Sequence, residues 1–365
     1  MPVKRIRKTD VEAWLRELAK GGPQTRFIGF GVPCRVYVPT ARHAHDVVLA
    51  PLDEGKWTLD FGRLTESPKR LLFPQMDRTL TWEGTHAEPV TDDTPRVLFG
   101  LRACDAAAVA VLDEFFRRNF LDPHYAARRS RAWLIVLACE TSVEGCFCRR
   151  TGTGPVLTEG FDVQLFADGD GYIAESGTSA GEKLLAAGGK LFSEAPPDWK
   201  KRREVLAEKA AAAQPEIDFA RAAEIIRKHQ EPDGFWESVA RRCLVCGGCA
   251  YLCPTCTCFT FFDRPEPAAR GASRGHRLRM WDSCVLEGFT REASGYNPRP
   301  RASMRCSRRY EHKLTGSELA TFPFRCVGCG RCVATCLSRM GMIEVVRELL
   351  EKQKGTRDVR TDRKR

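Results

Sequence analysis

The sequence predicts an α+β protein, and three observations carry that reading. Residues 97–139 run from a short apolar stretch through an amphipathic helical pattern to a second apolar stretch, a strand-helix-strand unit within an N-terminal α/β domain. Residues 192–230 shift to Lys, Arg, Glu and Ala with few large apolar side chains, the composition of a helical connector. Beyond it one cysteine spacing, Cys-x2-Cys-x2-Cys-x3-Cys, occurs twice, at Cys243, Cys246, Cys249 and Cys253 and again at Cys326, Cys329, Cys332 and Cys336. The expected parts are an N-terminal α/β domain over 1–191, the connector over 192–240, a helical cysteine-motif domain over 241–345, and a helix end with a polar tail over 346–365.

Taken in order, Thr9 and Glu12 form a capping box for a helix over 9–20 with Val11, Trp14, Leu15 and Leu18 on one face. Apolar stretches at 27–30, 36–38 and 71–73, punctuated by Gly and Pro, read as strands and turns. Residues 97–101 form a strand. Cys104 follows, and Asp105 is expected to cap a helix to about Arg118 with Val109, Leu112, Phe115 and Phe116 inward. Residues 133–138 form the second strand, which ends at Cys139. The strands of such a unit are parallel and share a carboxyl edge, so Cys104 and Cys139 emerge together. Cys146 and Cys148 come from the loop just beyond. Cys104, Cys139, Cys146 and Cys148 are therefore candidate ligands of one metal-sulfur site, and Cys104, at a helix N-terminus, is expected to favour the thiolate. The alternative is four small apolar side chains packed at strand ends. Residues 161–175 read as a hairpin around Asp168-Gly169-Asp170-Gly171, and 180–191 and 235–242 as helices. A helix over 342–354 with Met342, Val345 and Leu349 on its apolar face precedes a tail expected to be disordered when free.

The spacing of the two motifs carries their chemistry. Three thiolates two residues apart can wrap one cuboidal cluster from a single loop. The fourth, one helical turn beyond, points away and in two-cluster proteins ligates the other cluster. This assigns Cys243, Cys246, Cys249 and Cys336 to one 4Fe-4S cluster and Cys326, Cys329, Cys332 and Cys253 to a second; each motif using its own four is the alternative. The C-terminal part is thus a dicluster ferredoxin-like domain, and the N-terminal thiols are candidates for a third iron-sulfur cluster. Pro254 completes the first copy, whereas Leu337 stands at that place in the second. Zinc in an interaction protein is a remote alternative, because structural zinc sites use separated Cys-x2-Cys pairs, often with histidine. Cys256, Cys258, Cys284 and Cys306 are surplus to the motifs. They read as hydrogen-bond donors to the ligands, as packed thiols, or as ligands of a further centre. Arg242, Arg325 and Arg331 adjoin the motifs as candidate stabilisers of reduced clusters.

At 365 residues, 43% of them hydrophobic, the chain can hold two or three cores. It has no apolar run of membrane-spanning length, and residues 1–7 lack the apolar core of a secretion signal. No membrane insertion and a cytoplasmic location are expected. Seventeen cysteines in that compartment are expected to serve metals or redox chemistry rather than disulfides. The formal charge of +11 falls to about +7 once two clusters of roughly −2 each are counted. Lys and Arg are scattered among 47 acidic residues without an aromatic-interleaved stripe, which argues against nucleic acid and for an acidic protein partner. There is no dinucleotide fingerprint and no nucleophile paired with a base, so a non-catalytic redox subunit is expected.

Further motifs extend across nearly the whole chain. They are Ser67-Pro68-Lys69 with Phe73-Pro74-Gln75, Arg102-Ala103-Cys104-Asp105, and Cys146-Phe147-Cys148 with Gly152-Thr153-Gly154-Pro155. They continue in Cys253-Pro254-Thr255-Cys256-Thr257-Cys258-Phe259, Trp281-Asp282-Ser283-Cys284 and Arg309-Tyr310-Glu311-His312-Lys313. With these the sequence resembles the iron-sulfur electron-transfer subunits represented by the beta subunit of cytoplasmic NAD(P)-linked nickel-iron hydrogenases, the sulfhydrogenases, and by the corresponding iron-sulfur subunit of anaerobic sulfite reductase. The resemblance implies a complex in which a flavin and NAD(P)-binding reductase subunit exchanges hydride with a nicotinamide. The present chain would relay single electrons between a hydrogenase and that reductase, with a sulfite reductase or another flavin-linked reductase complex as the alternative. The sequence departs from the family pattern at Leu337 and in residues 140–145, which lack a proline.

Overall fold

The computed structural model describes residues 1–21, 34–43, 46–267, 273–315 and 322–362, with side chains as far as Lys354. The strand expected at 27–30 lies outside the described residues. The strands are β1 (Val3–Arg7), β2 (Arg35–His43), β3 (Asp46–Pro51), β4 (Met76–Glu83), β5 (His86–Pro89), β6 (Arg96–Leu101), β7 (Ala132–Leu137), β8 (Val163–Asp168), β9 (Gly171–Ser176), β10 (Phe192–Glu194), β11 (Phe259–Glu266) and β12 (Arg274–Trp281).

Eight of them form one sheet in the order β10-β1-β9-β8-β7-β6-β2-β3, with β2, β6, β7 and β8 parallel and the flanking pairs antiparallel. β6 and β7 are apolar throughout apart from Arg96 and buried along their whole length, so both faces of the sheet need a cover. On one face Trp14, Leu15 and Leu18 of α1 (Val11–Lys20) pack with Val97, Phe99, Ile135 and Leu137. On the other, Val109, Val111 and Leu112 of α2 (Ala103–Phe115) and Tyr125 of α3 (Pro123–Ser130) meet Leu98, Leu101, Leu134 and Val136. The expected strand-helix-strand unit is β6-α2-β7, with Val97 opposite Trp133. The expected hairpin is β8-β9, and α4 (Ser179–Ala187) follows it.

Several local expectations need correction. Residues 71–73 are not a strand: Ser67 caps a 3-10 turn over Pro68–Leu71 by accepting from the amide of Lys69 at 3.2 Å. Arg102, not Asp105, occupies the N-cap of α2; Asp105 reaches back from the first turn to the amide of Arg102 at 3.4 Å. Helix α3 is not among the expected elements, although Asp122 capping the amide of Tyr125 at 2.8 Å, with Pro123 next, is a strong start signal.

The connector holds β10, which pairs with β1, then α5 (Trp199–Ala212) and α6 (Phe219–Arg227). The helices beyond it are α7 (Phe235–Arg242), α8 (Gly248–Tyr251), α9 (Ala302–Leu314), α10 (Arg331–Ala334) and α11 (Met342–Asp362), which runs past the expected end at 354. Phe219, Ile225, Val239, Tyr310, Met342, Val345 and Leu349 close one core around Phe147, which stacks on Phe219 at 4.9 Å. The cysteine-motif segment is not purely helical: β11 and β12 form a hairpin that joins β4 and β5 in a second, antiparallel sheet, β11-β12-β4-β5. Met76 pairs with Met280, so this ladder crosses the expected boundary between N- and C-terminal parts. Buried Arg279 locks it, donating to Asp77 at 2.9 Å and Asp122 at 2.6 Å. No described helix is long and apolar enough to cross a membrane.

Candidate iron-sulfur sites

The two motifs fold alike. In each, a glycine in the left-handed region, Gly247 or Gly330, starts a one-turn helix, α8 or α10. That places the third cysteine inside the helix and the fourth one turn beyond. Backbone amides then aim at sulfur: Val245 N at Cys243 Sγ (3.4 Å), Met342 N at Cys332 Sγ (3.4 Å) and Met340 N at Cys336 Sγ (3.3 Å). Such donors favour the charged thiolate. The two helices also meet, since a Cβ on Gly248 would lie 3.6 Å from Thr335 Oγ1. Cys253, from the first copy, lies within electrostatic reach of Cys326 and Cys329 of the second. Burial pushes Cys329 up to about 11, opposed by Arg331 and reinforced by Cys253.

The N-terminal thiols converge as well. Cys104 sits in the first turn of α2, Cys139 just past β7, and Cys146 and Cys148 on the following loop; all four line one small cavity, together with Arg63, Arg102 and Pro155. Arg63 Nη1 lies 3.8 Å from Cys146 Sγ and Gln214 Nε2 3.3 Å from Cys148 Sγ. Gly154 keeps the wall open, because a Cβ there would stand 3.0 Å from Cys148 Sγ. One expectation changes: the helix terminus does not make Cys104 a thiolate. Burial, then Asp105, pushes its pKa well above the usual thiol range, and burial takes Cys148 up to about 12. A bound cation is what would deprotonate this set. Among the described residues no three His, Cys, Asp or Glu side chains stand close enough together to hold one metal ion.

This cavity shares a wall with the second motif. Phe147 N donates to Gly328 O at 2.9 Å, Thr153 Oγ1 to Val327 O at 2.8 Å and Arg63 Nη1 to Cys329 O at 3.1 Å. Arg331 Nη1 lies 2.8 Å from Asp105 Oδ1, both side chains at most 1% exposed, between Cys104 and Cys329.

Residues 242–340 match the model of the 4Fe-4S dicluster domain family. Over 295 residues the chain is 30% identical to sulfhydrogenase 2 subunit beta of Pyrococcus furiosus, covering 80% of this chain and 86% of that one. The chain belongs to the family of hydrogenase iron-sulfur electron-transfer subunits. As a dicluster protein it carries two 4Fe-4S clusters.

In this hydrogenase-type subunit, side chains to which sequence spacing gives no role complete the setting. Lys69, Arg309 and Lys313 are nearly wholly buried and have no carboxylate partner among the described residues. Lys69 Nζ donates to Cys256 O at 3.0 Å and lies 4.0 Å from the Trp281 ring centroid. Lys313 Nζ donates to Thr255 Oγ1 at 2.7 Å, and Arg309 Nη1 to Met340 O at 3.4 Å. Unpaired buried cations cost several kcal/mol each, roughly, so the anions they face are the cysteine sites themselves. All three stand in the family motifs, which is the signal the sequence offers for them. Of the arginines singled out by adjacency, Arg242 and Arg325 pair instead with Glu348 and Glu114, each at 2.6 Å. Only Arg331 reaches toward a motif cysteine, Cys329. Two surplus thiols face motif cysteines: a hydrogen bond from Cys306 holds Cys243 down to about 6, and one from Cys256 lowers Cys253.

Proposed function

We propose that this chain is the single-electron relay of a multi-subunit nickel-iron hydrogenase, working between the catalytic hydrogenase subunit and a flavin and NAD(P)-binding reductase subunit. Cys243, Cys246, Cys249 and Cys336 would hold one cluster, and Cys326, Cys329, Cys332 and Cys253 the second. Cys104, Cys139, Cys146 and Cys148 would hold a third. Bound clusters of this type accept and release one electron at a time. The observation that carries the reading is the shared wall, where the Phe147 amide bonds Gly328 and Arg331 bridges from Cys329 to Asp105 beside Cys104. The buried cations Lys69, Arg309 and Lys313 offset the negative charge of the thiolates, and the backbone amides fix their positions. The crossed pairing is favoured by the nearness of Cys253 to Cys326 and Cys329. The parts 1–191, 192–240, 241–345 and 346–365 would then be a third-cluster domain, a connector, the dicluster domain and a tail, with the β4-β12 ladder binding the first to the third.

The test is iron and acid-labile sulfide per chain after anaerobic purification. About twelve irons are expected, and a Cys104→Ser, Cys148→Ser double variant should lose about four of them. About eight in the wild type would return the N-terminal thiols to packing, and zinc without iron would overturn the relay.

A further inference from the structure

Cys258 and Cys284 remain after every other thiol of the C-terminal half has been placed. Each faces the other, in side-chain hydrogen-bond contact. The β11-β12 ladder enforces the meeting. Phe259 pairs with Trp281, and Asp282 N donates to Cys258 O at 2.9 Å, so Cys258 enters β11 where Cys284 leaves β12. A tight turn then presents Cys284: Ser283 N bonds Asp282 Oδ1 at 2.6 Å, and Leu286 N bonds Ser283 O at 2.9 Å. Neither thiol is fully covered. The turn also lies against the first motif, since a Cβ on Gly247 would come within 3.4 Å of Ser283 Cβ, and Cys284 is within electrostatic reach of Cys249. The hydrogen bond from Cys258 lowers the Cys284 thiol against its desolvation, and buried Arg309 and Lys313 add to the effect.

We propose that Cys258 and Cys284 are a redox-active dithiol that exchanges with small disulfides. The Cys284 thiolate attacks one sulfur of the disulfide RS-SR; that bond breaks and one RS⁻ leaves, taking a proton from the medium. The Cys258 thiol then gives up its proton, attacks Cys284 Sγ in the mixed disulfide and expels the second RS⁻, which is protonated in turn. Two thiols of the chain are oxidised to one disulfide, one external disulfide is reduced to two thiols, and two protons pass across. Resetting the pair requires two electrons and two protons. The electrons come singly from the iron-sulfur centres next to it, a source that rests on the relay reading.

The experiment uses the full-length, iron-loaded chain, equilibrated anaerobically across a series of oxidised to reduced glutathione ratios, trapped with N-ethylmaleimide, digested and mapped by mass spectrometry. One linked peptide pair, Cys258 with Cys284, should appear at oxidising ratios and vanish at reducing ones while iron per chain stays constant. Cys258→Ser should trap a glutathione adduct on Cys284, and Cys284→Ser should abolish the link, both at wild-type iron content. Two thiols that stay alkylatable at every ratio would overturn the proposal. So would loss of iron from either variant, which would make the residues cluster ligands. Absence of iron from the wild type would overturn the relay reading, while the peptide map would still decide for or against the dithiol.

Discussion

The two copies of the cysteine motif share spacing and local backbone, yet they are set in opposite surroundings. In the first, Leu244 is 66% exposed, Val245 37%, and Cys246 lies open to solvent. In the second, Val327 and Arg331 are 2% exposed and Cys329 8%. The difference comes from what packs on the loop: the second copy is pressed against residues 145–153, backbone to backbone, and the first meets the turn at Ser283 and then water. Identical local spacing has thus been given one outward and one inward face. Under the relay proposed above, that asymmetry would leave the first motif open to a partner and the second continuous with the N-terminal thiols.

The contrast can be broken most sharply at Arg331. Arg331→Met leaves Asp105 buried without its cation and should cost about 3–5 kcal/mol. The temperature of iron release should fall accordingly, and adding Asp105→Asn should restore most of it. Next come the paired glycines. Gly330 and Gly247 have φ of 71° and 74°, so alanine at either carries similar backbone strain. A Cβ on Gly330, however, meets Gly145 O at 2.4 Å, whereas on Gly247 it meets the edge of the Tyr251 ring at 2.7 Å. Gly330→Ala should cost about 3 kcal/mol and Gly247→Ala about half of that, measured by the same release temperature. Equal losses would mean the two loops are equally confined.

A further effect concerns pH. His312, on α9 beside Arg325, is held neutral, its pKa brought down to about 3 by burial and then by Lys313, Arg325 and Arg308. The unfolded chain takes up a proton near 6.5 and the folded one does not, so stability falls as pH drops below 6.5. Between pH 7 and pH 5 wild type should lose about 2 kcal/mol that a His312→Gln variant keeps. Parallel unfolding midpoints across that range would reject this.

What the sequence made legible was local. The strand-helix-strand unit was readable because β6 and β7 are almost unbroken apolar runs, and the motifs because three ligands lie within one loop. The convergence of Cys104 with Cys139, Cys146 and Cys148 followed from the parallel connection. The hidden parts depend on distant partners. Nothing near Lys69 says that it will face Cys256, and nothing in residues 259–281 says that their hairpin will pair with β4. The 71–73 stretch misled because Phe73 is buried in a turn rather than a strand, and the helix dipole at Cys104 was outweighed by desolvation, which a periodicity reading does not register.

The long reach of the β4-β12 ladder and of the shared wall imposes an order on biogenesis. As the chain leaves the ribosome, the eight-stranded sheet can close once residue 194 has emerged, with Cys104, Cys139, Cys146 and Cys148 already gathered at its edge. The second-motif loop that packs on residues 145–153 ends at Arg331 and is translated far later. Until the second motif has been made, Phe147 N, Thr153 Oγ1 and Arg63 Nη1 lack the carbonyl partners that Gly328, Val327 and Cys329 supply in the finished fold.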